Sequence, residues 1–344
     1  MGKISWRKYE LKFTEPRGTS RGWFKVKPSW FLLEQDDRYK YTIIGECGLL
    51  PGLSCDDKPG YENILDYVVD SLNSGKEIPD LSEWPSVEFG LEMFLAHRDS
   101  KDLAKVYPSN FSHGKDIQIN GLIWMGPKES MLSQIRTKLE SGFRCIKLKI
   151  GAINFDDEIY LLESIRKEFG PDQITLRVDA NGAFSPEDAP EKLKRLADLQ
   201  LHSIEQPIAS KQWEEMAGLC RTSPLPIALD EELIGLHSYQ AKKELIDSIK
   251  PQAIVLKPSL LGGFRRTQEW IELAENNGIE WWITSALESD IGLNAIAQFT
   301  SSFENDLPQG LGTGALYTNN FQSPLEVRSE YLHYNADKSW KLPF

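Results

Sequence analysis

Ile174-Thr175-Leu176-Arg177-Val178-Asp179 is a short apolar run closed by a carboxylate. Two later runs repeat the arrangement, His202-Ser203-Ile204-Glu205 and Pro226-Ile227-Ala228-Leu229-Asp230. The acids lie 26 and 25 residues apart, a spacing that fits one strand, one helix and two turns. In a parallel sheet, strand ends recurring at this interval point to the same side, so the three carboxylates converge on one spot. Alone they would repel each other. A hard divalent cation is the natural occupant between them, and three carboxylates plus waters suit Mg²⁺.

Lysines flank the acids in the same rhythm. Cys145-Ile146-Lys147-Leu148-Lys149-Ile150 comes one unit earlier, and Ala253-Ile254-Val255-Leu256-Lys257 one unit later. Strand positions two apart face the same way, so Lys147 and Lys149 share a face. Working outward, strands are expected at 117–124, 145–150, 174–179, 202–206, 226–230, 253–257 and 279–285, with a weak one at 307–313. Helical stretches separate the first seven. This alternation fits a modified TIM barrel of (β/α)7β type, whose chemistry sits at the C-terminal strand ends. No Gly-x-Gly-x-x-Gly turn supports a dinucleotide fold.

Before residue 117 the pattern differs. Tyr9, Leu11 and Phe13 alternate with charged residues, and strand-like runs around Trp30–Leu33 and Tyr39–Ile44 flank a polar turn at Gln35–Arg38. Helical spacing follows at Tyr61, Ile64, Leu65, Val68, Val69 and Leu72, and a second helix starts near Pro85. The expected organisation is an α+β capping domain, 1–115, completed by about 318–344, and a barrel over 116–317. Two stretches, Glu15–Trp23 and Leu49–Asp57, are candidate lids over the barrel mouth, the first a polar, Gly-rich loop that links strands.

Composition narrows the function. The chain has 344 residues, is 40% hydrophobic and 26% charged, and carries a net charge of −12. No long basic cluster suggests a nucleic-acid surface, and the acidic balance argues against nucleic acid or an anionic membrane as partner. No apolar stretch approaches membrane-spanning length. Cys47, Cys55, Cys145 and Cys220 are scattered, without a Cys-x-x-Cys pair, and Met1–Trp6 holds no apolar secretory core, so a cytoplasmic location is expected.

With Lys147, Lys149 and Lys257 in place, the motifs Arg177-Val178-Asp179-Ala180-Asn181-Gly182, Ser203-Ile204-Glu205-Gln206-Pro207 and Lys257-Pro258-Ser259-Leu260-Leu261-Gly262-Gly263 resemble signatures of the enolase superfamily, and within it the muconate-lactonizing subgroup. The stretches Gly45–Ser54 and Ser285-Ala286-Leu287-Glu288-Ser289 are most similar to its o-succinylbenzoate synthase family. The resemblance implies Mg²⁺, for which Mn²⁺ can substitute, on Asp179, Glu205 and Asp230. It implies Lys149 as base, Lys147 as its electrostatic partner, and Lys257 on the opposite side of a small carboxylate substrate. The reaction implied is syn dehydration of 2-succinyl-6-hydroxy-2,4-cyclohexadiene-1-carboxylate to o-succinylbenzoate, through a metal-stabilised enediolate, in menaquinone biosynthesis. N-succinylamino acid racemases and dipeptide epimerases of the same subgroup share the lysines and form the alternative. Epimerases commonly carry Asp-x-Asp on the eighth strand, where this chain reads Gly310-Leu311-Gly312-Thr313. No His closes an expected barrel strand, which disfavours the superfamily branch with a His-Asp base. A Schiff-base aldolase could use the same lysines, but it gives no reason for three converging acids.

Other candidates keep two readings. Asn181 is a turn-maker or a partner that orients the metal site. Gly262 and Gly263, like Gly310–Gly314 with Thr313, make tight turns or present backbone to a carboxylate. Ser285 falls within the synthase-like stretch, and Glu288 caps a helix or joins the lysines. Arg17 or Arg21 attracts a dianionic substrate or is a solvated loop charge.

Overall fold

The computed structural model describes residues 2–19, 22–36, 41–342 and 344. The chain opens with an antiparallel sheet of β1 (Lys3–Thr19), β2 (Gly22–Asp36) and β3 (Tyr41–Cys47). Helices α1 (Tyr61–Ser74) and α2 (Pro85–Ser100) cover it. Pro85 supplies the preset φ favoured in a first helical turn. α2 lies very close to the sheet because two glycines face the contact. A Cβ on Gly45 would fall 2.2 Å from Gly90 O, and one on Gly90 would fall 2.4 Å from Cys47 Sγ.

The barrel strands are β5 (Gly121–Ile123), β6 (Cys145–Lys149), β7 (Thr175–Asp179), β8 (Ser203–Glu205), β9 (Ile227–Leu229), β10 (Ala253–Leu256) and β11 (Glu280–Ile283), parallel and in chain order across one sheet. The helices between them are α3 (Lys128–Glu140), α4 (Phe155–Arg166), α5 (Ala189–Ala197), α6 (Trp213–Thr222), α7 (Tyr239–Ile249), a short α8 (Pro258–Leu261) and α9 (Gly263–Asn276); α10 (Asp290–Ser301) follows β11. Both faces of these strands are covered, so Ile146, Leu148, Leu176, Val178, Ile254 and Leu256 are all buried in the main core. The expected eighth strand is reduced to single bridges. Gln309 pairs with Ile119 and Gly310 with Thr284, joining the two edges of the sheet. Trp282, Ala228, Ala253 and Val255 pack together in a separate buried cluster, and the Arg177 guanidinium lies 4.0 Å above the Trp282 ring.

Two expectations are corrected. The stretch 117–124 is not one strand: β4 (Ile117–Gln118) pairs with β13 (Tyr331–Tyr334), which pairs with β12 (Leu325–Arg328), and only Gly121–Ile123 enters the barrel. Residues 15–19 and 22–23 of the first candidate lid are strand and not loop. β1 and β2 include them, with Arg17 opposite Phe24, Gly18 opposite Trp23 and Thr19 opposite Gly22, after a register shift beyond Lys12. Antiparallel pairing uses backbone groups, so a polar, Gly-rich sequence can still extend a hairpin. Arg21 lies outside the described residues, as does the side chain of Arg17. Residues 318–344 return to the first sheet, where Phe321 and Phe344 stack with Tyr9 and Phe31.

α10 is buried along its whole length. Its N-terminus meets the Glu46 carboxylate, which accepts from Ser289 N at 3.0 Å, Ser289 Oγ at 2.5 Å and Gly292 N at 3.0 Å. A strand of the first sheet thus places a negative charge at the positive end of a barrel helix.

His202 gives a pH prediction. Burial, aided by the Arg177 guanidinium, pushes its pKa down to about 4 from 6.5. Above pH 6.5 neither folded nor unfolded chain carries that proton. Between about 6.5 and 4 only the unfolded chain takes it up, so stability falls as pH drops across this window. Melting temperatures of the protein and of His202→Asn should converge as pH falls from 7 to 4. Parallel curves would show that His202 contributes nothing.

Candidate active site

Asp179, Glu205 and Asp230 meet as the strand register dictates. Lys149 sits beside Asp179, Asp179 beside Glu205, and Glu205 beside Ala228, which puts Asp230 two residues further along the same face. All three acids are buried, and one oxygen from each lies within 4.8 Å of the others. Among the described residues, Glu205 Oε1 is buried with no hydrogen-bond partner. Such an oxygen in an all-carboxylate cluster is what a divalent cation would satisfy, so the residues fit a metal site.

The lysines close the cluster. Lys147 pairs with Glu205 and lies 3.2 Å from Asp179 Oδ2. Lys149 donates to Asp179 Oδ2 at 3.0 Å and to Asn181 Oδ1 at 2.7 Å. Lys257 pairs with Asp230. Burial alone would lower the Lys147 pKa, but Asp179, Glu205 and Asp230 outweigh it and hold it above the usual lysine range. Burial opposes the charge on Asp179 too, yet Lys147, Lys149 and Lys257 pull its pKa below normal. Glu205 goes the other way: burial raises it, and Asp179 and Asp230 reinforce the rise against Lys147. Asp179 and Glu205 are thus pushed in opposite directions within one crowded cluster.

Asn181 makes a local turn and also reaches Lys149. Its φ of 44° is left-handed, and its N–H donates to Asp179 Oδ1 at 3.0 Å, a local turn. Its side chain also joins Lys149 to Glu231, donating to Glu231 Oε1 at 3.0 Å. Gln206, not anticipated from sequence, ties adjacent strand ends. Its Oε1 accepts from Asp230 N at 3.1 Å, and its Nε2 donates to Glu232 Oε2 at 3.1 Å.

A cavity of about 530 Å³ opens above the cluster. Lys147, Lys149, Asp179, Asn181 and Lys257 form one side, and Ser285 and Thr313 line it as well. Leu50, Pro51 and Leu53 from the second candidate lid, with Glu15 and Phe24 from the hairpin, complete it. Gly262 and Gly263 are not brought to the cavity. They form the α8–α9 junction with φ of 94° and 85°, facing α2, where Glu92 accepts from Phe264 N. A Cβ on Gly263 would lie 2.2 Å from Glu92 Oε2.

Glu288 contacts none of the lysines of the acid cluster directly. Fully buried, it accepts from Ser259 and from Ser285 Oγ, the latter at 2.6 Å. Lys27, also fully buried, donates to Ser29 Oγ at 3.0 Å, and Ser29 Oγ donates to Glu46 at 2.8 Å. Burial lowers the Lys27 pKa while Glu46 and Glu288 oppose the fall. The signal for these residues was their phase: Lys27 and Ser29 share a strand face with Phe31 and Leu33. Asn120, Trp124, Gln134 and Lys138 also line the cavity and carried no motif.

Comparison with known proteins extends this picture. Residues 130–337 match the family described as enolase C-terminal domain-like. An o-succinylbenzoate synthase of Desulfotalea psychrophila is 47% identical over 94% of this chain and 97% of its own. The crystal structure of MenC from that organism superposes with a TM-score of 0.85 at 43% identity, covering 96% of this chain and 99% of that one. An N-succinylamino acid racemase of Thermus thermophilus is 36% identical over 48% of this chain and 42% of its own.

Proposed function

We propose, from the premise that this chain belongs to the enolase C-terminal domain-like family, that it is an o-succinylbenzoate synthase. It dehydrates 2-succinyl-6-hydroxy-2,4-cyclohexadiene-1-carboxylate to o-succinylbenzoate, a step of menaquinone biosynthesis. The observation that carries the reading is the 47% identity to a synthase over nearly the full length of both chains. Loss of the diene absorbance on incubation with that substrate is the test; an unchanged spectrum overturns the reading.

Asp179, Glu205 and Asp230 hold Mg²⁺ in this reading. When bound, the ion takes up the negative charge that grows on the substrate carboxylate, usually the largest part of such catalysis. Lys149 Nζ removes the proton beside that carboxylate. The carbon–oxygen bond at the neighbouring position then breaks, and Lys149 returns the proton to the departing hydroxyl as water. Both events occur on one face, and the ring becomes aromatic. Asn181 holds Lys149 Nζ in place. Lys147 lies between Glu205 and Asp179 and fixes a positive charge on the same strand face as Lys149. Lys257, paired with Asp230 rather than with Asp179, faces the substrate from the other side and acts as a cation. The capping domain, 1–115 with 318–344, covers the cavity in the barrel of 116–317, and the enzyme works in the cytoplasm.

Separate acid partners for Lys149 and Lys257 also suit a racemase, which needs an acid/base on each face. Lys257→Arg separates the two, because arginine keeps the charge but does not shuttle protons near neutral pH. Dehydration should fall by about 10- to 100-fold from misplaced charge, while any two-faced deuterium exchange of N-succinylamino acids in D₂O should vanish. If the unaltered protein exchanges deuterium from both faces and leaves the cyclohexadiene untouched, the racemase replaces the synthase.

A further inference from the structure

The hydroxyls of Thr313 and Ser285 line the cavity, and the scheme above gives them no task. Their hydrogen bonds fix which way their protons point. Ser285 Oγ donates to Glu288 Oε2 at 2.6 Å and accepts from Leu287 N at 3.0 Å. A hydroxyl has one hydrogen and two lone pairs, so one lone pair remains. The Thr313 hydroxyl donates to it at 2.9 Å. Ser285 is then fully subscribed, and the single hydrogen of Thr313 is committed away from the cavity. No described donor reaches Thr313 Oγ1, which presents only lone pairs.

The far end of the chain holds this polarity. Glu288 is fully buried and accepts at both oxygens, from Ser259 on one and Ser285 on the other. Burial raises the Glu288 pKa, and Lys27, fully buried across the cap–barrel contact, is the cation that opposes that rise. The chain reverses only if position 288 offers a donor to Ser285.

We propose that Thr313 Oγ1 is an acceptor subsite for a hydroxyl or N–H on the substrate, with Ser285 and Glu288 as the positioning residues that keep it an acceptor. This rests on the synthase reading, for which it names a specificity element. The cyclohexadiene substrate carries one neutral donor, its 6-hydroxyl. The product o-succinylbenzoate, as a dianion, carries none. The subsite therefore holds the hydroxyl before it departs and offers the product no bond in return, so it favours release.

The test compares substrate KM with the inhibition constant of o-succinylbenzoate. Thr313→Val keeps the shape and removes the lone pairs. It should raise substrate KM about 5- to 20-fold and move product inhibition less than about twofold, while Thr313→Ser stays near the unaltered protein. Glu288→Gln places an amide N–H against Ser285 and frees the Thr313 hydrogen for the cavity. Substrate KM should rise and product inhibition should tighten about threefold or more. A merely structural role would move both constants together. Thr313→Val shifting substrate and product equally, or neither, overturns the inference even if Glu288→Gln fails to fold. Absence of dehydration in the unaltered protein is a different failure, that of the synthase reading. If that protein instead racemises N-succinylamino acids, the same Thr313→Val ratio, measured on N–H and N-methyl substrates, decides the subsite.

Discussion

Lys149→Ala is expected to abolish dehydration, by at least about 10⁴-fold, because one side chain is asked to both take and return the proton. A general base alone contributes about 10²- to 10⁴-fold, and here the leaving-group acid is lost with it. The ammonium also bridges Asp179 and Asn181, so its removal frees both. Substrate binding should survive, since the carboxylate cluster and cavity walls remain. The measurements are single-turnover dehydration and loss of substrate deuterium at the carbon beside the carboxylate, with thermal melting as the control for folding. Turnover within about tenfold of the unaltered protein would place the base elsewhere, with Lys257 next in line.

Asp230→Asn is the second large effect. It replaces one of three buried carboxylates with a neutral, weaker ligand and leaves Lys257 without its acid. Affinity for Mg²⁺ should fall about 10²-fold or more, and turnover with it. Removing the Asp230 charge relieves its repulsion on Glu205 but strands the buried Lys257 cation, so the melting temperature in chelator should fall. The increase on adding Mg²⁺ should disappear. An unaltered protein fully active in excess chelator, or a variant with the same Mg²⁺-dependent rise, contradicts the metal assignment.

The acids and lysines were legible in the sequence because strand register is local. Asp179, Glu205 and Asp230 each end an apolar run at near-constant spacing, and parallel pairing does the rest. The barrel strands were readable because short apolar runs recur between helical stretches. What escaped depends on distant packing. Lys27, Ser29 and Glu46 look like ordinary polar positions in an exposed sheet until α10 meets Glu46 and the three bond in a buried chain. Gly262 and Gly263 resemble a ligand-binding turn, but they pack against Glu88 and Glu92 of α2, 170 or so residues earlier in the chain. The pairing of Arg17–Thr19 with Gly22–Phe24 hides behind loop-like composition, because backbone pairing leaves no pattern in side chains. Gln309 and Gly310 are too short a run to read as a strand, yet they join the barrel edges.

The stacking of Tyr9 and Phe31 on Phe321 and Phe344 has a consequence for how the chain is made. These rings are more than 280 residues apart. During synthesis, the first sheet emerges early, with this aromatic face bare until the last residues clear the ribosome. The barrel can begin to assemble meanwhile, but the face stays open to other nascent chains. A ribosome stalled at residue 316 should therefore display a collapsed, protease-sensitive first sheet that aggregates on release, whereas the completed chain buries those rings and folds as one cooperative unit.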